Sequence, residues 1–451
     1  MCLCAGVALP SATGCSGQSL TRGPDDSGDD SGDPEARPNW YEDMAPLVAT
    51  NCQSCHTDGG IAPFSMDNYE ETMPWSTFMA QQVAAGIMPP WHAVETETCT
   101  PPHPFNHDAR LSSAEIQAFV DWADLGAPEG DPALAANLPP PVDPNLENPT
   151  VTIPMQGSIS IEATDSRLDF EHCLSFDPGN TEDIYLDGIQ VLPGNTKIAH
   201  HVLLFIDASG ASASWDNGVF EDCGGGAGVT DATLIGGWVP GSLPIRTPEG
   251  VGVEFPAGAR IIYNYHYHAT GGGPEVDDSS AIALRYSTVK PEWSSYFELV
   301  GAPGVGILQD EPFLIEAGAK NHEEIVDWSV PDFGDLNVRL WAAANHMHKV
   351  GVDMQTTVIR NGVEHCLVQT PSWDFNWQRI YTYDVPIGES FKIENGDIIR
   401  VRCTYDNTVD NPSVLEALAE IGATEPIDVA LGAGTLDEMC LAGIGVARKN
   451  P

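Results

Sequence analysis

Histidines occur as three close pairs between the middle of the chain and its C-terminal quarter. The pairs are His200 and His201, His266 and His268, and His346 and His348. Alternate residues of a strand share a face, so both imidazoles of each later pair can meet one metal ion. Adjacent histidines face opposite ways on a regular strand, so joint binding by the first pair requires a strand end or a bulge. Neutral imidazole binds copper, zinc, iron or nickel, so the pairs predict a metal site without naming the metal.

A sulfur-bearing side chain near the C-terminus adds a softer candidate ligand. Met439 lies in the run from Asp437 to Cys440, where a thioether adjoins a cysteine. Added to two histidines, a methionine favours copper, because soft sulfur stabilises Cu(I) while imidazole tolerates both oxidation states. Taken alone, Met439 is a packing residue. Met347 faces away from its two histidine neighbours on a regular strand, and we predict that it packs in the core.

A separate chemical motif precedes the histidines. Cys52, Cys55 and His56 form a CxxCH motif, in which two thiols form thioethers to a haem and the imidazole binds its iron. A disulfide or half of a zinc site is the alternative interpretation. We predict Met88 as the second axial ligand, because its thioether is soft and the two following prolines stiffen the chain. The alternative axial ligands are Met66, Met73, Met79 and His92.

The elements around the CxxCH motif are predicted to be helical. Ser112 and Glu115 have the pattern of a capping box, and apolar residues follow until Gly126. A short all-α haem domain that ends in such a helix resembles a cytochrome c, and this resemblance covers residues 38–131. The proline-rich stretch within residues 132–150 predicts a stiff linker, which limits how far the haem can move from the rest of the chain.

From Val151 onward the sequence has the pattern of a mainly β fold. Short β-branched and aromatic runs recur between Gly, Pro, Asn and Asp clusters, which indicates antiparallel β-sandwiches. The runs are residues 197–206, 260–268, 282–286, 336–342, 354–359 and 398–404. This length suits two sandwiches in tandem, which we assign to residues 151–291 and 292–451.

Five motifs in this β region occur together and in a fixed order. They are the His200-His201 pair, HYH at 266–268, HMH at 346–348, CTYDN from Cys403 and EMC at 438–440. In this order they resemble the copper type II, ascorbate-dependent monooxygenases. The resemblance implies a mainly β chain of two tandem jelly-roll-like antiparallel β-sandwiches, here preceded by the small all-α cytochrome c domain. Each sandwich is expected to hold one copper ion, with a solvent-filled cleft between the two.

The resemblance also implies which residues bind the two copper ions. The electron-transfer copper is expected at His200, His201 and His266 of the first sandwich. The oxygen-activating copper is expected at His346, His348 and Met439 of the second sandwich. His268 falls where the family can have a histidine that does not bind the metal, so we expect it to support the site from outside.

Several cysteines also fall where the family has disulfides. The resemblance implies a bond between Cys403 and Cys440, which would hold the chain of Met439 beside its site. Cys173 and Cys223 coincide with disulfide-bonded positions of the family, without a pairing. Cys99 and Cys366 have no assigned role.

The activity implied by the resemblance is hydroxylation of a C–H bond in a small organic substrate by O2, at two magnetically uncoupled copper sites. Ascorbate supplies the electrons in the animal enzymes. Here we expect the fused haem to pass electrons to the first-sandwich copper, from ascorbate, another external reductant or a redox partner protein. The alternative is a periplasmic protein that exchanges electrons between haem and copper, or handles copper, without oxygenating anything. A third interpretation is a structural sandwich that binds no metal.

Charge and the N-terminal segment bear on location and partners. With 19 basic against 65 acidic residues the net charge is −46, which excludes binding to a phosphate backbone. Residues 1–37 resemble a short bacterial lipoprotein leader with a lipidatable Cys15 and an acidic tether, although a misassigned start or a disordered tail is the alternative. Eleven cysteines and a covalent haem motif favour export, to the periplasm, the outer membrane or the exterior. Membrane contact is expected only through the lipid anchor.

Overall fold

The computed structural model describes residues 37–58, 60, 62–138, 145–164, 168–240, 242–270, 272–302, 306–308, 312–432 and 437–451. The predicted leader with Cys15 and its tether lie outside the described residues, apart from residue 37. The most proline-rich part of the predicted linker, residues 139–144, also lies outside them. Among the described residues we find no helix whose length and apolar character would let it cross a bilayer.

The segment that carries CxxCH is built from short helices. They are a π-helical turn Trp40–Met44, α1 (Ala45–Asn51), α2 (Tyr69–Thr72), a 3-10 turn Met73–Trp75, α3 (Ser76–Ala84) and α4 (Ser113–Asp124). The predicted capping box is present at α4, where Ser112 and Glu115 satisfy each other's backbone N–H groups. Phe119 and Trp122 of this helix pack with Trp40 and Met44 in a small apolar core.

The following region forms a first sandwich. Its strands are β1 (Val151–Pro154), β2 (Ile159–Ile161), β3 (Asp169–Phe176), β4 (Ile184–Leu192), β5 (Ala199–Asp207), β6 (Val219–Glu221), β7 (Thr233–Trp238), β8 (Ile245–Arg246), β9 (Val251–Phe255), β10 (Arg260–His268), β11 (Glu275–Asp277) and β12 (Ala281–Ser287). Short 3-10 turns at Pro132–Leu134, Ala211–Ser214 and Asp216–Gly218 accompany them. A five-stranded sheet in the order β6-β3-β10-β5-β7 faces the β1-β12-β4-β9 portion of a larger sheet.

The C-terminal region forms a second sandwich. Its strands are β13 (Trp293–Val300), β14 (Ile307–Leu308), β15 (Leu314–Ile315), β16 (Lys320–Ser329), β17 (Val338–His346), β18 (Gly351–Arg360), β19 (Val363–Thr370), β20 (Ile380–Thr382), β21 (Lys392–Ile393), β22 (Ile398–Asp406), β23 (Val429–Ala430) and β24 (Leu441–Lys449). Its helical pieces are Phe375–Trp377, Ile387–Glu389 and α5 (Pro412–Glu420). The sheet β14-β16-β22-β18-β19 packs on β13-β24-β17-β20.

One continuous sheet joins the two sandwiches. The path β1-β12-β4-β9 continues into β13-β24-β17-β20, because β13 pairs with β9 through Trp293 with Val251 and Ser294 with Gly252. This pairing is parallel, so the sheet is not purely antiparallel as the sequence pattern predicts. The shared sheet fixes the two sandwiches against each other, and their histidine-bearing strands with them.

The chain after the helical segment runs onto the second sandwich. Trp91 and Phe105 belong to the core of that sandwich, although they lie inside the segment assigned to the haem domain. The Asn106 N–H donates to the Thr382 carbonyl at 2.8 Å. A disulfide between Cys99 and Cys366 adds a covalent connection across 267 residues of sequence. These two cysteines thus join the helical segment to β19.

Candidate metal centre

Two neighbouring strands of the first sandwich bring three histidines together. On β10, His266 pairs with His201 of β5, and the next residue, Tyr267, pairs with Ala199. His200 is therefore the extra residue of a β-bulge, which turns its side chain to the same side as that of His201. This bulge is the backbone irregularity that joint metal binding by adjacent histidines requires.

The donor atoms of these histidines converge on one point. Nδ1 of His201 lies 3.1 Å from Nδ1 of His200 and 3.3 Å from Nδ1 of His266. Burial lowers the pKa of His200 to about 3 and holds the pKa of His201 well below its usual value. One ring nitrogen from each of the three residues lies within 4.8 Å of the others, and imidazole nitrogens grouped in this way suit a copper or zinc ion. The three residues therefore fit a metal ion.

An acidic side chain orients this site from outside. Oδ1 of Asp169 accepts a hydrogen bond from Nε2 of His266 at 2.9 Å and another from Nδ1 of His268 at 2.8 Å. Because His266 donates through Nε2, its Nδ1 carries the lone pair that faces the other histidines. The hydrogen bond that His268 donates to Asp169 raises the pKa of His268. Asp169 lies on β3, directly opposite His268 of β10 in the strand pairing. The sequence patterns miss it as a functional candidate.

The HMH motif lies where β17 ends. His346 is the last residue of that strand, and His348 follows in the connection to β18. Nδ1 of His346 donates to Oε1 of Gln378 at 2.5 Å, and Nδ1 of His348 donates to the Asp437 carbonyl at 3.0 Å. With Nδ1 carrying the proton in both rings, the lone pair that can bind a metal lies on Nε2, and burial lowers the pKa of His346. Met347 is fully buried in the core, which confirms its predicted packing role.

The carboxylate of Glu438 holds the connection that carries His348. It is 0 % exposed and accepts hydrogen bonds from the backbone N–H groups of His348, Val350, Gly351 and Met439 at 2.7 to 3.3 Å. Burial raises the pKa of Glu438 to about 7, against the hydrogen bonds that lower it. A single side chain thus ties the EMC motif to the HMH motif.

The backbone of Met439 is fixed from three sides. Its N–H meets Glu438, its carbonyl accepts the hydroxyl of Tyr405 at 2.8 Å, and Cys440 beside it is bonded to Cys403. The disulfide implied for these two cysteines is confirmed. The structure also pairs Cys173 with Cys223. Met439 itself is half-buried and directly follows the residues that contact His348.

The two histidine groups adjoin although they belong to different sandwiches. The ring of His201 lies 6.2 Å from that of His346, measured between centroids. The ring of Phe375 lies 4.8 Å from His200 and 5.6 Å from His348, so it packs against both groups. The rings around Phe375 therefore form one continuous cluster, which we call the histidine cluster: His200, His201, His266, His346 and His348.

The CxxCH motif follows α1 as an irregular turn. Cys52 and Cys55 are half-buried and remain free thiols, while the other described cysteines form three disulfides. Nδ1 of His56 donates to the Phe64 carbonyl at 3.0 Å, which leaves Nε2 as the donor atom. Burial lowers the pKa of His56 and keeps the ring neutral. Two unpaired thiols and one oriented imidazole fit covalent haem attachment.

The candidate axial ligands of that haem differ in burial. Met66 and Met79 are each 4 % exposed and pack in the helical core, which is the ordinary role of methionine. Met73 is exposed, whereas Met88 is half-buried in the turn that follows α3. Met88 as axial ligand stays a prediction.

The structure contains a cavity of about 860 Å³. Residues from the helical segment and both sandwiches line it, among them Trp91, Arg246, Trp293 and Arg379. The predicted metal ligands do not line it. We therefore locate the chemistry at the histidine cluster and not in this cavity.

Comparison with known proteins finds a family match for one segment of the chain. Residues 329–444 match the family model of the copper type II ascorbate-dependent monooxygenase C-terminal domain. The match spans His346, His348 and Met439, whereas His200, His201 and the CxxCH motif lie outside it. No curated protein matches the chain.

Solved structures similar to the chain resemble it weakly. A BuGH86 variant in complex with neoagarooctaose has a TM-score of 0.15 at 10 % identity, and this comparison covers 65 % of this chain and 34 % of the other. Wild-type BuGH86 with the same ligand gives 0.14 at 10 % identity and the same coverage. Dimeric latent PorU from Porphyromonas gingivalis gives 0.15 at 9 % identity, over 66 % of this chain and 24 % of the other. The chain spans about a third of the length of the first of these proteins, and the similarities carry no argument about fold or function.

Proposed function

We propose that the protein is a copper-dependent monooxygenase that hydroxylates a C–H bond of a small organic substrate with O2. The observation that carries the proposal is the meeting of two imidazole donor sets from different sandwiches, with 6.2 Å between the rings of His201 and His346. The family match of residues 329–444 supports copper as the metal and monooxygenation as the chemistry.

Each donor set has a defined part in this proposal. His200, His201 and His266 hold a copper ion through Nδ1, and His346 and His348 hold a second copper ion through Nε2 together with Met439. Copper bound in this way supplies one-electron redox chemistry and a binding position for O2. Asp169, Gln378 and Glu438 orient the ligands through the hydrogen bonds described above.

The overall reaction requires an external reductant. Hydroxylation consumes the substrate, O2, two electrons and two protons, and it yields the alcohol and water. We propose that Cys52, Cys55, His56 and Met88 would hold a haem, which would supply one-electron transfer when bound. Ascorbate, another small reductant or a redox partner protein supplies the electrons to that haem.

The three disulfides indicate folding in an oxidising compartment, outside the cytoplasm. We propose a periplasmic protein, with lipidation at Cys15 as its only attachment to a membrane. Palmitate labelling of the expressed full chain, compared with a Cys15→Ser variant, tests the attachment.

The test of the enzymatic proposal replaces Met439. With copper, haem and a reductant present, oxygen uptake is measured over a panel of amines, phenols and glycine-extended peptides. Met439→Ile is expected to abolish hydroxylation while the haem spectrum stays unchanged, and Met155→Ile, in the core of the first sandwich, serves as the matched control. Turnover that survives Met439→Ile contradicts the assignment of the oxygen site. Copper binding without reductant-dependent oxygen consumption favours the non-oxygenating electron-transfer or copper-handling protein instead.

A further inference from the structure

The segment from Trp373 to Tyr383 contacts the histidine cluster on its inner side. Phe375 packs its ring against His200 and His348, at 4.8 and 5.6 Å between centroids. Oε1 of Gln378 accepts the hydrogen bond from Nδ1 of His346. We call this stretch, residues 373–383, the bridging segment.

The outer side of the bridging segment contacts Trp91, which lies three residues after Met88 in the segment assigned to the haem domain. The guanidinium of Arg379 lies over the ring of Trp91, 5.1 Å from its centroid, and Tyr381 meets the same ring edge-on at 5.2 Å. Arg379 is also near enough to Cys55 for the two side chains to interact electrostatically. Gln378 and Arg379 are consecutive residues. The residue that binds His346 is therefore one peptide unit away from the residue that interacts with Cys55.

The charge of Arg379 has no carboxylate partner in the described part of the chain. Its neighbours on the outer side are aromatic rings and a thiol, and burial lowers the pKa of its guanidinium. A half-buried cation in a protein of net charge −46 normally finds an acidic partner. A haem bound at Cys55 would bring carboxylates of its own to this region, which makes Arg379 a candidate partner for them.

The contact between the loop that joins α3 to α4 and the bridging segment is fixed on both flanks. The Asn106 N–H donates to Thr382 at 2.8 Å, and the Asp384 N–H donates to Pro104 at 2.8 Å. The Cys99–Cys366 disulfide ties the same loop to β19. Because these constraints act close to Arg379, they hold the loop between α3 and α4 against the bridging segment.

We propose that Gln378 and Arg379 form the electron route from the haem at CxxCH to the copper at His346, with Arg379 as the positively charged neighbour of the haem. This inference rests on the proposed function. One electron passes from the ferrous haem to copper(II), which leaves ferric haem and copper(I), and an external one-electron donor then reduces the haem again. Electrons would thus reach the copper at His346 directly. This route is additional to the expected one through the first-sandwich copper.

The test uses the full chain loaded with haem and copper. The haem is reduced under anaerobic conditions, and its reoxidation is followed by stopped flow while freeze-quench EPR follows the loss of the copper(II) signal. The variants are Arg379→Gln and Gln378→Leu. Arg285→Gln, which removes an arginine bonded to Asp187 on the first sandwich, is the matched control.

The two variants are expected to differ in their signatures. Arg379→Gln lowers the haem reduction potential, because a nearby positive charge favours the reduced haem, and it slows the intramolecular phase. Gln378→Leu leaves the potential unchanged, slows the same phase and alters the EPR spectrum of the copper at His346. Gln378→Glu keeps the oxygen that accepts the hydrogen bond from His346, so it should restore the rate of the intramolecular phase. This recovery would show that the slow phase in Gln378→Leu does not come from misfolding.

The outcomes separate this route from the proposed function. Wild-type protein that binds no copper overturns both proposals. Wild-type protein that binds no haem, or whose reduced haem never reduces copper, overturns the haem relay and this route, whereas the copper chemistry is decided by the oxygen-uptake test. Wild-type transfer with unchanged rates in both variants overturns the route alone and leaves the monooxygenase proposal standing.

Discussion

The ring of His201 in the first sandwich lies 6.2 Å from the ring of His346 in the second. The shared sheet holds β17 against the first sandwich, so this approach is built into the fold. Burial holds the pKa of His201 down, and the neighbouring imidazoles of His346 and His348 lower it further. Positive charge at one donor set therefore disfavours positive charge at the other. The resemblance implies two sites across a solvent-filled cleft, whereas these rings are near contact.

The proximity of the rings predicts that the two copper ions interact magnetically. Fully loaded, oxidised protein should show less EPR-visible copper(II) than elemental analysis finds. His266→Ala should remove one copper equivalent and restore full visibility of the remaining ion. Additive spectra from two independent ions would instead support the uncoupled arrangement.

Asp169 is predicted to set the copper affinity of the first site. Asp169→Asn weakens the hydrogen bonds that orient His266 and His268, so copper binding there should weaken by about 10- to 100-fold. Competition titration with a copper chelator measures this change, with His346 and His348 still occupied.

Asp177→Asn is the control for this prediction. Asp177 follows the opposite end of the same strand and pairs with Arg260, away from the histidines. Equal copper affinity in the Asp169 variant and the control would show that Asp169 does not position the ligand.

Glu438 is predicted to stabilise the second site through geometry. Glu438→Gln replaces two acceptor oxygens by one and adds an N–H that faces backbone N–H donors. We expect a loss of about 1–3 kcal/mol in the free energy of unfolding, and a greater loss of copper from His348 than from His201. Urea unfolding and copper stoichiometry measure the two effects. Glu298→Gln, at a half-buried carboxyl on β13, is the control, and equal losses in both variants would contradict the prediction.

Local sequence patterns identified the histidines that the fold brings together. The adjacent histidines required a backbone irregularity, and the bulge at His200 provides it. The capping box at Ser112 and the buried face of Met347 follow equally from helix and strand geometry. These features depend on neighbours within a few residues, which is the range over which a sequence pattern carries information.

The supporting residues are set by pairings between distant strands. Gln378 meets His346 across 32 residues of sequence, and Asp169 meets His266 across 97. Periodicity indicates which face of a strand is buried, but it does not indicate which remote strand lies opposite. The same limit applies to the sheet shared by the two sandwiches. The leader at residues 1–36 and the prolines at 139–144 lie outside the described residues, so both assignments stay predictions.

The two disulfides of the second sandwich are predicted to have separable roles. Cys403→Ser with Cys440→Ser frees the chain beside Met439, so copper at His346 and His348 should be lost along with about 2–4 kcal/mol of stability. Cys99→Ser with Cys366→Ser should leave both copper ions bound but expose the loop around Phe105 to protease, because that bond ties the helical segment to β19. Copper analysis and limited proteolysis of the two double variants distinguish these effects.

Loss of copper from the Cys99 and Cys366 variant would show that docking of the helical segment is itself required to form the metal centre. Unchanged protease resistance in that variant would show that the backbone bonds at Asn106 and Asp384 hold the segment without the disulfide.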